Sequence, residues 1–214
     1  MRPTHTIAEM LELYEQLTPT KVYHACKMHL HQPNDNLRRL CGKTAESIPH
    51  VLASYSALAQ NKYLVRHDAT LKVLFWEMLR ELQLSASVPP WYSPVVPKPK
   101  YESPEAQAYW NIPNFAVSEQ VGQNRVDARL IDHERKRVVA VEMSCPWTEI
   151  REKKQEEKTT KYDPLRGELK QQFLGYDIRK NNIIIYVLGG WFRAVDEAMR
   201  ELFGARRGEI LLRM

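Results

Sequence analysis

Asn124-Arg-Val-Asp-Ala-Arg-Leu-Ile-Asp-His-Glu-Arg-Lys-Arg-Val-Val-Ala-Val-Glu-Met-Ser144 is the part of the chain from which the rest can be read. Two aliphatic, β-branched runs, Val126 to Ile131 and Val138 to Met143, flank six residues, Asp132 to Arg137, that are all charged or histidine. That is the pattern of strand, polar loop, strand. A hairpin symmetric about its loop sets Ile131 opposite Val138 and Arg129 opposite Ala140, and the same register sets Asp127 opposite Glu142. Directly opposed side chains on antiparallel strands have Cβ atoms about 5 Å apart, where like charges repel. The second strand is apolar on both faces, as expected of a strand covered on both sides. A carboxylate there is costly unless paired or metal-bound. A hard divalent cation such as Mg²⁺ answers both objections. The ordinary alternative is a solvated hairpin whose acids pair with Arg125 or Arg129.

Outward from the hairpin, Thr70 to Leu84 carries a wide apolar face (Leu71, Leu74, Phe75, Met78, Leu79, Leu82) and reads as a helix. Seven of the thirteen prolines fall between Pro89 and Pro113, so Ser87 to Asn114 is expected to run extended over the surface with no regular element. A short strand over Phe115 to Val121 precedes the hairpin. A helix after Thr148, a strand over Asn182 to Leu188 and a closing helix follow it. The closing helix sets Trp191, Val195, Ala198, Met199 and Leu202 on one face and is capped by Gly204. Upstream, Thr6 and Glu9 form a capping box for a helix that ends by Pro19. A second helix spans Lys21 to His31, and a third spans Val51 to Ala59. The fold class is α/β (α+β): helix, three-stranded antiparallel meander, helix, strand, helix, with an N-terminal helical appendage.

On the helix after Thr148, Lys158 lies four residues before Tyr162 and seven before Leu165, on the face those two turn toward the sheet. Such a lysine either reaches the carboxylates or snorkels to the surface.

Composition narrows the partners. The net charge of +5 and pI near 9.0 permit nucleic-acid binding without requiring it. No apolar run approaches the roughly 20 residues of a bilayer span, so no membrane partner is expected. The opening Met1-Arg-Pro-Thr-His leads into a charged amphipathic pattern, not a secretory leader. Three cysteines, Cys26, Cys41 and Cys145, cannot all pair, and an intracellular location is expected.

The order of elements, with Asp on one hairpin strand, Glu on the other and Lys nearby, resembles the PD-(D/E)XK nuclease core. More closely, the chain resembles the C-terminal restriction-like endonuclease region of site-specific non-LTR retrotransposons. Arg125-Val126-Asp127, fourteen intervening residues and Glu142 fit that family's Arg/Lys-Pro-Asp and Glu elements, with Val126 in place of Pro. Arg66-His67-Asp68 is similar to its Arg-His-Asn/Asp element before the first helix. Cys145-Pro146-Trp147 and Lys158-Thr-Thr-Lys161-Tyr162-Asp-Pro-Leu165 are similar to its Cys-Pro-Trp/Phe and Lys-x-x-Lys-Tyr-x-x-Leu segments. The likeness runs from about Asn34 to Gly204.

The resemblance implies a metal-dependent endonuclease that nicks DNA. Asp127 and Glu142 would hold Mg²⁺ or Mn²⁺, and Lys158 would orient water or balance developing charge. Arg66, Arg125 and Lys161 would contact phosphate, Tyr162 would support Lys158, and His67, beside Asp68, would orient a carboxylate or make a structural bond at the helix start. DNA is the implied partner, with element RNA as a second one, and the nucleus the implied location. The implied organisation is a helical appendage (1–36), a degenerate zinc-knuckle-like segment (37–65), a nuclease domain (66–204) with a proline-rich insert (87–114), and a tail (205–214).

Two departures stand out. Cys41 and His50 match the second and third ligands of the family's Cys-Cys-His-Cys knuckle, but Arg38 and Tyr55 occupy the first and fourth positions. Two ligands do not close a tetrahedral site, so zinc is not expected; His24, Cys26, His29 and His31 have the wrong spacing to substitute. Nothing in the chain resembles a reverse transcriptase, so it reads as a detached module, a decayed copy, or a gene that kept the nuclease. The alternative function is therefore an inactive nucleic-acid-binding remnant.

Overall fold

The computed structural model describes residues 4–28, 45–53, 63–111, 126–147, 165–191 and 193–204. Its centre is a five-stranded mixed sheet in the order β1 (Lys100–Glu102), β2 (Ala106–Trp110), β3 (Ala128–Asp132), β4 (Arg137–Ser144), β5 (Asp177–Ile184). Pairing is antiparallel from β1 to β4 and parallel between β4 and β5. The chain is thus a mixed α/β protein with a mostly antiparallel sheet. The hairpin has the register expected of it: Ile131 faces Val138 and Arg129 faces Ala140. The ladder begins at Ala128 opposite Val141, so the expected pairing of Asp127 with Glu142 does not form: Asp127 lies one residue outside the ladder and turns its carboxylate to the Met143 amide instead.

Apolar alternation decides what covers each face. Ala128, Leu130, Val139, Val141 and Met143 pack with Leu71, Leu74, Phe75 and Met78 of α4 (Leu64–Glu81) and with Val195, Met199 and Leu202 of α6 (Arg193–Phe203). Val126, Ile131, Val138, Ala140 and Ile178 turn the other way, onto Leu165 and Leu169 of the helical residues 165–172 (α5). β4 is consequently buried from Val138 to Ser144. A parallel neighbour cannot follow β4 through a tight turn, and α5 lies in the crossover that leads to β5.

Upstream are α1 (Thr4–Tyr14), α2 (Lys21–Lys27) and α3 (Ile48–Ala53). Thr20 caps α2, its hydroxyl accepting from the Tyr23 amide at 3.1 Å. Hydrogen bonds join these helices to the rest of the protein: Tyr14 donates to the Leu188 carbonyl at 3.1 Å, and Arg66 to the Leu52 carbonyl at 2.8 Å.

Several expectations are corrected. The proline-rich stretch 87–114 contains β1 and β2, because its prolines leave the gaps 100–103 and 105–112 free to donate ladder bonds. The helix expected from Thr70 begins at Leu64, since no breaker interrupts that segment. Arg66-His67-Asp68 therefore lies inside α4, not before it. β5 starts five residues before Asn182, where pairing along β4 recruits the polar Asp177-Ile-Arg-Lys run into the sheet, and it ends at Ile184. Trp191 lies outside α6, its indole donating to Asp196 at 2.9 Å. α1 begins at Thr4, two residues before the Thr6 at which the capping box is expected to start it. The expected strand over 115–121 and the helix from Thr148 through residue 164 lie outside the described residues.

Candidate functional site

Along α4 the buried stripe runs Phe75, Leu71, His67, so His67 continues an apolar face by one turn toward the open end of the β3–β4 ladder. There it meets the residue that left the ladder. The imidazole Nε2 lies 3.3 Å from Asp127 Oδ2 and 3.2 Å from the Met143 carbonyl, while Nδ1 lies 2.9 Å from Asp68 Oδ1. A carbonyl only accepts, which assigns a proton to Nε2. The Asp68 carboxylate asks for a second on Nδ1.

The electrostatics agree with a charged ring. Burial opposes protonation, but the hydrogen bond and charge of Asp127, with bonds to Asp68 and the Met143 carbonyl, outweigh it and raise the His67 pKa to about 9. The ring is stacked on Tyr63, one turn earlier, with centroids 6.1 Å apart. The Tyr63 hydroxyl in turn accepts from the Cys145 amide at 3.4 Å.

Asp127 also accepts from the Met143 amide at 2.7 Å. Its carboxylate stands where the next residue of β3 would have paired with β4. Its backbone carbonyl accepts from the Asn111 amide at 2.9 Å, tying the same residue to the end of β2. Two amides and an imidazolium therefore fix this aspartate on both sides. Arg129, the ordinary partner offered by the sequence, lies over the Tyr109 ring at 4.5 Å.

Glu142 immediately precedes Met143, and strand alternation sends it to the opposite face. It is 2% exposed and lines a shallow recess beneath α5 in which Arg166, Arg179 and Lys180 also take part. Asp127, His67 and Asp68 thus meet at the β3–β4 seam from the α4 side, and Glu142 adjoins the same seam from the α5 side. A roomier cavity, about 180 Å³, lies at the far end of the hairpin between Glu81, Glu105, Asp132 and Glu134. It holds none of the candidate residues.

Arg66 gives one guanidinium nitrogen to α3 through the Leu52 carbonyl and sits 5.7 Å over the Tyr63 ring. Cys145 and Trp147 are buried, and the Pro146 carbonyl accepts from Val187 at 3.0 Å, so this segment closes the end of the sheet. His50 lies in α3. Arg125, Lys158, Lys161, Tyr162 and Cys41 lie outside the described residues.

Asp127 and Glu142 are oxygen donors of the kind a hard cation takes, one on each side of the β3–β4 seam. Among the described residues no three His, Cys, Asp or Glu side chains converge as a complete protein-supplied metal site. Sequence reasoning identified His67, Asp127 and Glu142 but missed Tyr63 and the Met143 backbone. The four-residue spacing of Tyr63 and His67 was the available signal for the first; backbone groups leave none. Compared with models of known protein families and with curated proteins, the chain matches none. Among the described residues no helix is long and apolar enough to cross a membrane.

Proposed function

We propose that the chain is a metal-dependent DNA endonuclease, hydrolysing a phosphodiester to nick DNA, of the restriction-like kind carried by non-LTR retrotransposons. The observation that supports this most is the fixing of Asp127 at the β3–β4 seam by the Met143 amide and a charged His67, beside Glu142. An aspartate held by that many donors keeps its orientation, which a metal-binding carboxylate needs.

Mg²⁺ or Mn²⁺ held by Asp127 and Glu142 would supply Lewis-acid polarisation of the phosphate and an acidified water. His67 positions Asp127, whose hydrogen bond and charge do most to keep the imidazole protonated, and Asp68 orients the ring through Nδ1. Arg166, beside the Glu142 recess, favours the approach of a phosphate, whereas Arg179 there is paired with Asp177 and Glu201. Lys158, Lys161, Tyr162 and Arg125 carry the roles that the resemblance implies, with DNA as substrate, element RNA as a further partner and the nucleus as location.

A second reading has its own observation. Asp127 Oδ2 already accepts from two donors, as a purely structural carboxylate would. On that reading the protein is an inactive nucleic-acid-binding remnant. Supercoiled plasmid incubated with the chain in Mg²⁺, Mn²⁺ or chelator separates the two. Asp127→Asn, which retains an acceptor for the Met143 amide, and Glu142→Gln are the controls. The nuclease reading expects metal-dependent open circles, reduced at least about a hundredfold by either substitution. No metal-dependent nicking, or nicking that survives both substitutions, leaves the remnant.

A further inference from the structure

Trp91 and Tyr92 are 70% and 71% exposed, whereas Trp76 and Trp110 are buried in the core. Large aromatic rings held in water are uncommon, and a contiguous pair with Val95 and Val96 beside it, both exposed, marks a contact surface. The two rings are edge to face, with centroids 5.6 Å apart.

The segment that carries them is held rigidly. Pro89, Pro90, Pro94, Pro97 and Pro99 restrict its backbone, and Pro97 is buried. The Ser93 amide closes a turn onto the Pro90 carbonyl at 2.8 Å, and the Lys98 amide donates to the Tyr101 hydroxyl at 3.0 Å. Lys72 of α4 donates to the Ser93 carbonyl. Rings presented on a stiff backbone lose little freedom when they bind.

Charge selects the partner. No acidic residue occurs between Glu81 and Glu102, while Lys98 and Lys100 do, and the whole chain carries +5. Lys98 is exposed; Lys100 pairs with Glu102. Position selects it too. Lys72 is one turn beyond Asp68 on α4, about 6 Å along the axis, so the segment that carries the aromatic pair is anchored to the same helix that supplies His67 and Asp68.

We propose that Trp91 and Tyr92 form a stacking platform for the unpaired bases of single-stranded nucleic acid, with Lys98 as a phosphate contact. This extends the proposed function, on which it rests, by making a strand with exposed bases part of the substrate. Every base has a π-face, so such a platform is tolerant of sequence and disfavours an intact duplex, whose bases are stacked on one another.

The test is binding of a fluorescent oligothymidylate of about twelve nucleotides and of a blunt duplex of equal length, followed by anisotropy and by intrinsic tryptophan quenching. The single strand is expected to bind more tightly. Trp91→Ala and Tyr92→Ala are each expected to weaken it roughly tenfold, and Trp91→Phe to retain most of the affinity. Both positions are exposed, and unchanged melting curves will show that the variants fold. Binding is measured in chelator, so that it is read separately from metal-dependent nicking. Loss of nicking with retained, Trp91-dependent binding therefore leaves the platform standing when the nuclease reading fails. Wild-type affinity in both alanine variants overturns the platform, as does a preference for duplex. So does a concentration-dependent dimer that the alanine variants abolish while oligonucleotide binding stays constant, because the surface would then be a protein contact.

Discussion

His67 is the residue whose chemistry is most altered by folding. Its pKa rises to about 9 from an ordinary 6.5, so the folded state binds the proton more tightly than the unfolded one. The stabilisation is complete below about pH 6.5 and is lost as pH rises through about 9. At about 1.4 kcal/mol per pH unit this is worth roughly 3 kcal/mol. Urea unfolding from pH 6 to 10 is expected to show stability falling across that window, with the slope much reduced in His67→Gln. Parallel pH profiles for the two proteins would remove His67 from the account. Asp127→Asn is expected to flatten the same slope, because the neutral amide no longer holds the imidazolium.

Among the elements, α4 does two jobs with one stripe. Leu71, Leu74, Phe75 and Met78 pack the sheet, and His67 reaches the seam from the same face. Phe75 is fully buried against Trp110 and Tyr101, with ring centroids 5.1 and 6.1 Å away. Phe75→Ala is expected to cost about 3–5 kcal/mol in chemical denaturation, through lost burial and a cavity that the sheet cannot close. The β3–β4 loop tests the opposite sign. Lys136 sits at φ 47°, a left-handed conformation that glycine adopts without strain. Lys136→Gly is expected to stabilise by up to about 1 kcal/mol, and a loss of stability would show that the lysine side chain supports the turn in some other way.

Across the whole molecule, stability should be graded by depth in the sheet. β4 is paired on both sides and covered on both faces, whereas β1 is a three-residue edge strand that buries none of its residues fully. Hydrogen exchange is expected to be slowest in β4, slow in its partners β3 and β5, and fastest among the strands in β1. Equal protection in β1 and β4 would contradict that grading. Side-chain periodicity records local geometry directly, and it alone was enough for the β3–β4 hairpin, its register as far as Ala128 and Val141, the double-sided burial of β4 and the apolar faces of α4 and α6. The sequence by itself also singled out Asp127, Glu142 and His67 by residue type and order. Only the tertiary structure decided that β1 and β2 form between the prolines, that β5 begins at Asp177, and that His67 and Asp127, sixty residues apart, share a proton-bearing contact over Met143. Those depend on which strand edge is available for pairing and on where a helix face ends against a sheet. No local pattern carries that information, since the backbone groups that complete such contacts are the same in every residue.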